Sequence, residues 1–402
     1  MAYLQIVLPL LPPAPWLPTL ALVVVVGMGL RRSRTFGVFV SVILGIPTYV
    51  AVALGPHLPG GWVFGLAQLL AAVHLIGILV RPAMRPAWFR WGVSIPGLWF
   101  VAGSLLALPW ALASTFGLHP WGGWLPFAIA GLGVVQSSWT REETVSLRLD
   151  VPAGPTLAPH RAALGEGEGR PLRIVQITDP HLGPFMTVQR LQNICRRAVE
   201  RSPDLILLTG DLMTMESHDV AVVTEALAPL AAMPGRVFAC HGNHDHEARR
   251  VVEQAYAAHG IELLVDEAEV VSTEAGPVQI VGLDFVWRGR AAHVASVMAD
   301  HPRVPGAMRV LLMHDPGAFT HVPDGEADLV LSGHTHGGQL GLLSFGLQTT
   351  ILRGITKLPD HGPWAKGRNR LYVHRAQGHY GYPVRLGVPA EQSLLQVYPA
   401  SS

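Results

Sequence analysis

A chain of 402 residues, half of them hydrophobic and only 14% charged, is long enough for two domains. Residues 1–140 contain no Asp, Glu or Lys and carry only Arg31, Arg32, Arg34, Arg81, Arg85 and Arg90; the remaining 23 basic and all 28 acidic residues lie in 141–402, so the formal charge of +1 is a cancellation. A slightly acidic second part without a basic run argues against a nucleic-acid binder, and two cysteines, Cys195 and Cys240, argue against a disulfide framework or a Cys-rich zinc site.

Five apolar runs fill the first part, at about 16–30, 36–54, 62–80, 91–113 and 121–136. Crossing a hydrocarbon core takes about 20 mostly apolar residues as helix, so each reads as a membrane span. Arg31, Arg32 and Arg34 follow the first run, unlike the order in a cleaved signal peptide. The arginine clusters at 31–34 and 81–90 fall in alternate loops, and arginine-rich loops stay on the cytoplasmic side. Five spans then return the chain to the cytoplasm; if the last two runs were one span, the second part would lie outside. Trp62, Trp88, Trp91, Trp121, Trp124 and Trp139 sit near the run ends, as an interfacial belt requires. His74 stands mid-span without an acidic partner, so the bundle reads as an anchor and not a transport path.

Residues 141–170 read as a linker with a strand at 144–151. Strand and helix patterns then alternate. The run 172–178 leads into Asp179-Pro180-His181, and Val188, Leu191, Ile194, Cys195 and Ala198 recur at helical spacing, which puts Cys195 in the core. A strand at 204–209 ends in Gly210-Asp211 and precedes a helix around 220–232. Another at 236–240 ends in His241-Gly242-Asn243-His244-Asp245-His246, before a helix at 247–259. Short alternating segments occupy 261–283, including a strand at 278–283; strands at 308–313 and 328–331 then end in His314-Asp315 and Gly333-His334-Thr335-His336. Five strand ends thus deliver Asp, Asn and His to one edge, where α/β folds place their chemistry. The set offers oxygen and nitrogen ligands in number enough for two divalent cations such as Mn²⁺, Fe²⁺ or Zn²⁺. Two such ions about 3.5–4 Å apart suit in-line displacement at a phosphorus ester.

The ordered set Asp179-x-His181, Gly210-Asp211, Gly242-Asn243-His244-Asp245, His314 and Gly333-His334-x-His336 resembles the calcineurin-like metallophosphoesterase superfamily. Gly337-Gly338-Gln339, Leu371-Tyr372-Val373 and the stretch 378–383 resemble its bacterial membrane-associated branch. The resemblance spans about 170–400 and implies an α/β metallophosphoesterase domain (171–402) built as a four-layer α/β/β/α sandwich; it does not account for the spans, so the apolar runs add a multi-span α-helical membrane bundle (1–140) and a linker (141–170) ahead of it. It also implies one metal on Asp179, His181 and His336, a second on Asn243, His314 and His334, and Asp211 bridging both. Mn²⁺ is the favoured ion, with Fe²⁺ or Zn²⁺ as alternatives. His244 becomes the general acid, with Asp245 holding its ring. His241 and His246 read as surface or supporting residues, Asp315 as a helix cap, and His374, Arg375 and His379 as solvated loop.

The expected protein is a phosphohydrolase anchored in the inner membrane, its catalytic domain on the cytoplasmic face, cleaving a phosphodiester or pyrophosphate. A lipid-linked substrate such as an acylated nucleotide-sugar is favoured, because an anchor makes most sense for a substrate in the bilayer. A phosphodiesterase for soluble nucleotide or cell-envelope substrates, and a membrane sensor with a regulatory phosphoesterase domain, remain the alternatives.

Overall fold

The computed structural model describes residues 16–399 except 82, 120, 215–218, 380 and 382. The chain divides into a first unit, 1–134 with 382–384, and a second unit, 135–381 with 385–402.

Helices at Trp16–Arg32, Arg34–Ala53, Val63–Val80, Ile95–Thr115 and Leu125–Ser137 fall on the five apolar runs. The first arginine cluster lies at a break between helices, because the Ser33 hydroxyl accepts the Phe36 N–H at 3.0 Å and starts a new helix. Three segments, Phe36–His57, Val63–Val80 and Ala87–Thr115, are long and apolar enough to cross a membrane. The expected fifth span is a helix of only 13 residues, about 20 Å long and short of a hydrocarbon core of about 30 Å. Within the first unit Phe64 packs on Phe100 and Phe127, with ring centroids 5.2 and 4.6 Å away. Two pairs of buried polar groups meet there: Gln68 donates to Thr48 at 2.8 Å, and His74 Nδ1 lies 3.0 Å from Ser94 Oγ. Trp62, Trp88, Trp91 and Trp121 are exposed near helix ends.

The strands of the second unit are, in chain order, β1 (Thr140–Arg148), β2 (Ala158–Pro159), β3 (Leu172–Ile177), β4 (Leu205–Thr209), β5 (Val237–Cys240), β6 (Glu262–Leu263), β7 (Glu267–Thr273), β8 (Gly276–Leu283), β9 (Met308–Met313), β10 (Leu329–Ser332), β11 (Gly362–Lys366), β12 (Asn369–Val373) and β13 (Ala390–Tyr398). They form two sheets, ordered β1-β13-β3-β4-β5-β6 and β2-β11-β12-β10-β9-β8-β7. β3 through β6 are parallel, as are β12, β10, β9 and β8, while β13 runs antiparallel to β3. β1 starts four residues before the strand expected at 144 and pairs along its whole length with β13.

Alternation decides what each sheet faces. Ile174, Leu205, Leu207 and Phe238 of the first sheet share one buried cluster with Ile280, Val310, Leu312 and Leu331 of the second. On its other face the second sheet buries Val281, Leu283, Leu311 and Val330 against Val294, Val297 and Met298 of helix Arg290–Asp300. Helices Val188–Glu200, Val220–Leu227 and Arg249–Ala257 follow β3, β4 and β5 and bury Leu191, Ile194, Cys195, Val223 and Val252. The result is the expected α/β/β/α layering. Parallel strands of both sheets bring their carboxyl ends to one edge.

Candidate metal centre

Three of the five strand-end motifs turn at once into a conformation that ordinary residues avoid. Asp179, His181, Asp211, His334 and His336 have φ of 48, 49, 53, 66 and 51°, the left-handed region. Such backbone costs on the order of 1 kcal/mol per residue and persists where the surrounding structure over-determines it. The neighbouring glycines are equally constrained, since a Cβ on Gly333 would lie 2.1 Å from Asp179 Oδ2.

The turns assemble two clusters, Asp179 with His181 and His336, and Asp211 with His314 and His334, one ligand atom from each residue lying within 4.8 Å of the others in its cluster. In the first, His336 Nε2 is 3.3 Å from Asp179 Oδ1 and 3.1 Å from His181 Nε2. In the second, His314 Nε2 is 3.2 Å from both Asp211 Oδ2 and His334 Nδ1. The clusters adjoin: His181 Nε2 lies 3.8 Å from Asp211 Oδ2, and His314 Nε2 lies 3.9 Å from Asp179 Oδ1. Supporting bonds fix the donors. His314 Nδ1 is 2.7 Å from the Thr209 carbonyl, so it carries the proton and leaves Nε2 as the ligand atom. Thr178 Oγ1 donates to Asp179 at 2.6 Å, and the His244 N–H donates to Asp211 Oδ1 at 2.8 Å.

The residues fit two divalent cations on several counts. Imidazole nitrogens face each other beside buried carboxylates, and Asn243 Oδ1, a good hard-ion ligand, is buried without a hydrogen-bond partner. Burial works against ionisation of Asp179 and Asp211, but the surrounding histidines outweigh it and hold both carboxyls well below the usual range. Burial likewise opposes protonation of His314, yet Asp211 and Asp179 push it up to about 10; His181, where burial prevails over Asp211, falls to about 3.

The arrangement around His244 departs from expectation. Asp245 does not orient that ring: Oδ2 accepts the N–H groups of Asp211 and Gly242, both at 2.8 Å, and Oδ1 accepts that of Leu212 at 2.9 Å. Its carboxylate faces backwards into the turn after β4 and fixes the Asp211 backbone. The His244 ring instead has Nδ1 3.1 Å from Glu247 Oε1. Burial lowers the affinity of His244 for a proton, but the Glu247 bond and the Asp211 charge more than compensate, and its pKa is raised. Glu247, three residues beyond His244, was legible as a partner from that spacing alone.

His374, Arg375 and His379 are not solvated. His374 is fully buried, and Arg375 pairs with Glu391 at 3.1 Å and Glu143 at 2.7 Å. Buried Arg385, missed in the sequence, donates to the carbonyls of His336 at 3.1 Å and Arg375 at 2.7 Å, bracing the segment that carries His336. Asp315 does cap, accepting the Gly317 N–H at 2.8 Å.

Comparison with known proteins identifies the family. The calcineurin-like phosphoesterase family matches residues 172–338. Phosphodiesterase YaeI of Escherichia coli (strain K12) is 29% identical over 246 residues, 60% of this chain and 87% of that protein. Uncharacterized metallophosphoesterase YkuE of Bacillus subtilis (strain 168) is 30% identical over 219 residues, 53% of this chain and 74% of that protein. A protein of Danio rerio named "Transmembrane protein with metallophosphoesterase domain" is 30% identical over 234 residues, 55% of this chain and 52% of that protein. The fold implies a pair of divalent ions, and the two buried His/Asp clusters stand where strand ends from both sheets meet. With its three membrane-length apolar helices, the chain belongs to the calcineurin-like phosphoesterase family as a metal-dependent phosphoesterase.

Proposed function

We propose that the chain hydrolyses a phosphodiester or pyrophosphate at this sheet edge. The observation that carries the reading is the pair of adjoining buried clusters, Asp179/His181/His336 and Asp211/His314/His334. Asp179, His181 and His336 hold one ion, Asn243, His314 and His334 the other, and Asp211 serves both. Bound there, the ions supply positive charge for the phosphoryl oxygens and a lowered pKa for the attacking water. Mn²⁺ is the favoured ion, because carboxylate, amide and imidazole ligands without sulfur suit it. His244, held at Nδ1 by Glu247 and raised in pKa, keeps a proton to give the leaving oxygen from Nε2. Asp245 keeps Asp211 in place through the main chain.

A lipid-linked phosphodiester or pyrophosphate is the proposed substrate class, supported by the three membrane-length helices. The arginine-rich loops favour the cytoplasmic face of the cell membrane for the catalytic unit, on the condition that the 13-residue helix Leu125–Ser137 carries the chain back across. The test is hydrolysis by the full chain in mixed micelles of two substrates with the same phosphorylated head group, one lipid-linked and one soluble. Higher kcat/KM on the lipid-linked form is expected. Hydrolysis of the soluble form alone would overturn the lipid assignment and leave a phosphodiesterase of soluble substrates, tethered only for location.

A further inference from the structure

Three side chains outside the paired clusters converge at a third place, between the turn after β5 and the end of β8. His241, His246 and Asp284 each offer a ligand atom, and these atoms lie within 4.8 Å of one another. His246 Nε2 is 2.9 Å from Asp284 Oδ1, and His241 Nδ1 is 3.4 Å from the same oxygen. A tetrahedral zinc with bonds of about 2.0–2.1 Å sets its ligands roughly 3.3 Å apart, and both distances to the Asp284 oxygen lie within about half an ångström of that.

His241 is the observation that separates this group from an ordinary His–Asp pair. Its side chain has no exposure, and neither ring nitrogen makes a hydrogen bond. Nδ1 meets only the Asp284 oxygen, at 3.4 Å, and a buried ring nitrogen left with no partner at all, as Nε2 is, costs on the order of 1–3 kcal/mol. His246 and Asp284 lie further out and leave an approach from solvent, with side chains 33 and 15% exposed. The Asp284 carboxylate is fixed in this orientation, since Oδ1 also accepts the Phe285 N–H at 2.9 Å, while the nearby Arg249 guanidinium lies 3.9 Å from the other oxygen. The Phe285 ring stands between this group and the paired clusters, its centroid 6.5 Å from His246 and 6.1 Å from both His314 and His334.

We propose that His241, His246 and Asp284 bind a third divalent transition metal, Zn²⁺ by ligand type, with the fourth position left to water. Two imidazoles and one carboxylate are a common zinc set. The ion ties the turn carrying Asn243 and His244 to the end of β8, and so fixes the residues proposed to serve the second metal and the leaving group. Its role is structural; the proposal does not depend on the reaction at the neighbouring centre.

The test counts ions. Full chain in detergent is stripped with chelator, reloaded with Zn²⁺, desalted and analysed by mass spectrometry, beside His246→Gln, Asp211→Asn and the double variant. His246 is at the surface, so its replacement leaves the fold intact, which circular dichroism checks. One Zn²⁺ fewer than the parent is expected on adding His246→Gln, in both the native and the Asp211→Asn backgrounds, and Asp284→Asn should repeat the loss. A count equal to the parent's in either background overturns the third site. Failure of the paired centre reads separately, as Asp211→Asn binding as many ions as the native chain.

Discussion

Gly242 meets the Asp211 carboxylate so closely that one methyl group there should disable the centre. A Cβ on Gly242 would lie 2.1 Å from Asp211 Oδ1 and 2.4 Å from the Asp211 nitrogen, well inside the 3.0 Å below which such contacts do not occur. Opening the first contact to 3.0 Å moves carboxylate or turn by about 0.9 Å. Neither gives easily, because Asp245 pins the Asp211 and Gly242 N–H groups at 2.8 Å and the His244 N–H pins Oδ1 at 2.8 Å. A ligand displaced by about 1 Å costs on the order of 10²-fold in rate. Gly242→Ala should therefore lose at least that factor in hydrolysis of bis(p-nitrophenyl) phosphate with Mn²⁺ and bind fewer ions, while its circular dichroism spectrum stays native. Gly154→Ala is the control, with nothing within 4 Å of its Cβ. A Gly242→Ala enzyme within twofold of the native rate, with its metal content unchanged, would refute the steric argument.

Other perturbations test separate parts of the account. Glu247→Gln removes the group that raises the His244 pKa, so the alkaline limb of the kcat profile should move to lower pH; an unmoved limb would deny Glu247 that role. His244→Asn should cost about 10²–10⁴-fold on an alkyl phosphodiester and much less on an aryl one, whose leaving oxygen needs no proton; equal losses would refute general-acid action. Glu391 bears on stability. Burial opposes its charge, but His374, Arg375 and the Ser393 and Tyr372 hydroxyls hold it down at about 2, against 4.5 for an ordinary glutamate. That depression is worth about 3 kcal/mol, present above pH 4.5 and lost as pH falls through about 2. Glu391→Gln should lower the apparent melting midpoint by roughly 5–10 °C at pH 7 and by little near pH 2; a pH-independent deficit would contradict the assignment.

The strand ends are legible because local signals coincide there: apolar runs at strand length stop, three of the five beside a glycine, and Asp, Asn or His follows within a few residues. Asp179, His181, Asp211, His314, His334 and His336 all meet at one edge for that reason. What sequence order hides is direction. Asp245 sits beside His244 in the chain, yet its carboxylate turns to N–H groups 33 and 34 residues upstream, at Leu212 and Asp211. His374 and Arg375 look like loop because they are polar, but their acidic partners Glu391 and Glu143 come from β13 and β1, strands whose pairing joins residues about 250 apart. Asp284 obeys the same strand-end rule as the other acids. The end of that strand at 283 is legible, but Asp284 escapes a reading of the sequence because it stands alone there, with no glycine or histidine beside it.

The central claim is that two ions held partly by a shared Asp211 perform the hydrolysis. Its most direct measurement is the rate on bis(p-nitrophenyl) phosphate of chelator-stripped full chain reloaded with Mn²⁺, beside Asp211→Asn treated identically, with bound metal counted in both. The account expects activity that returns with metal in the native chain, and loss of both activity and bound metal in the variant. An Asp211→Asn chain that regains native rate and native metal content would contradict it.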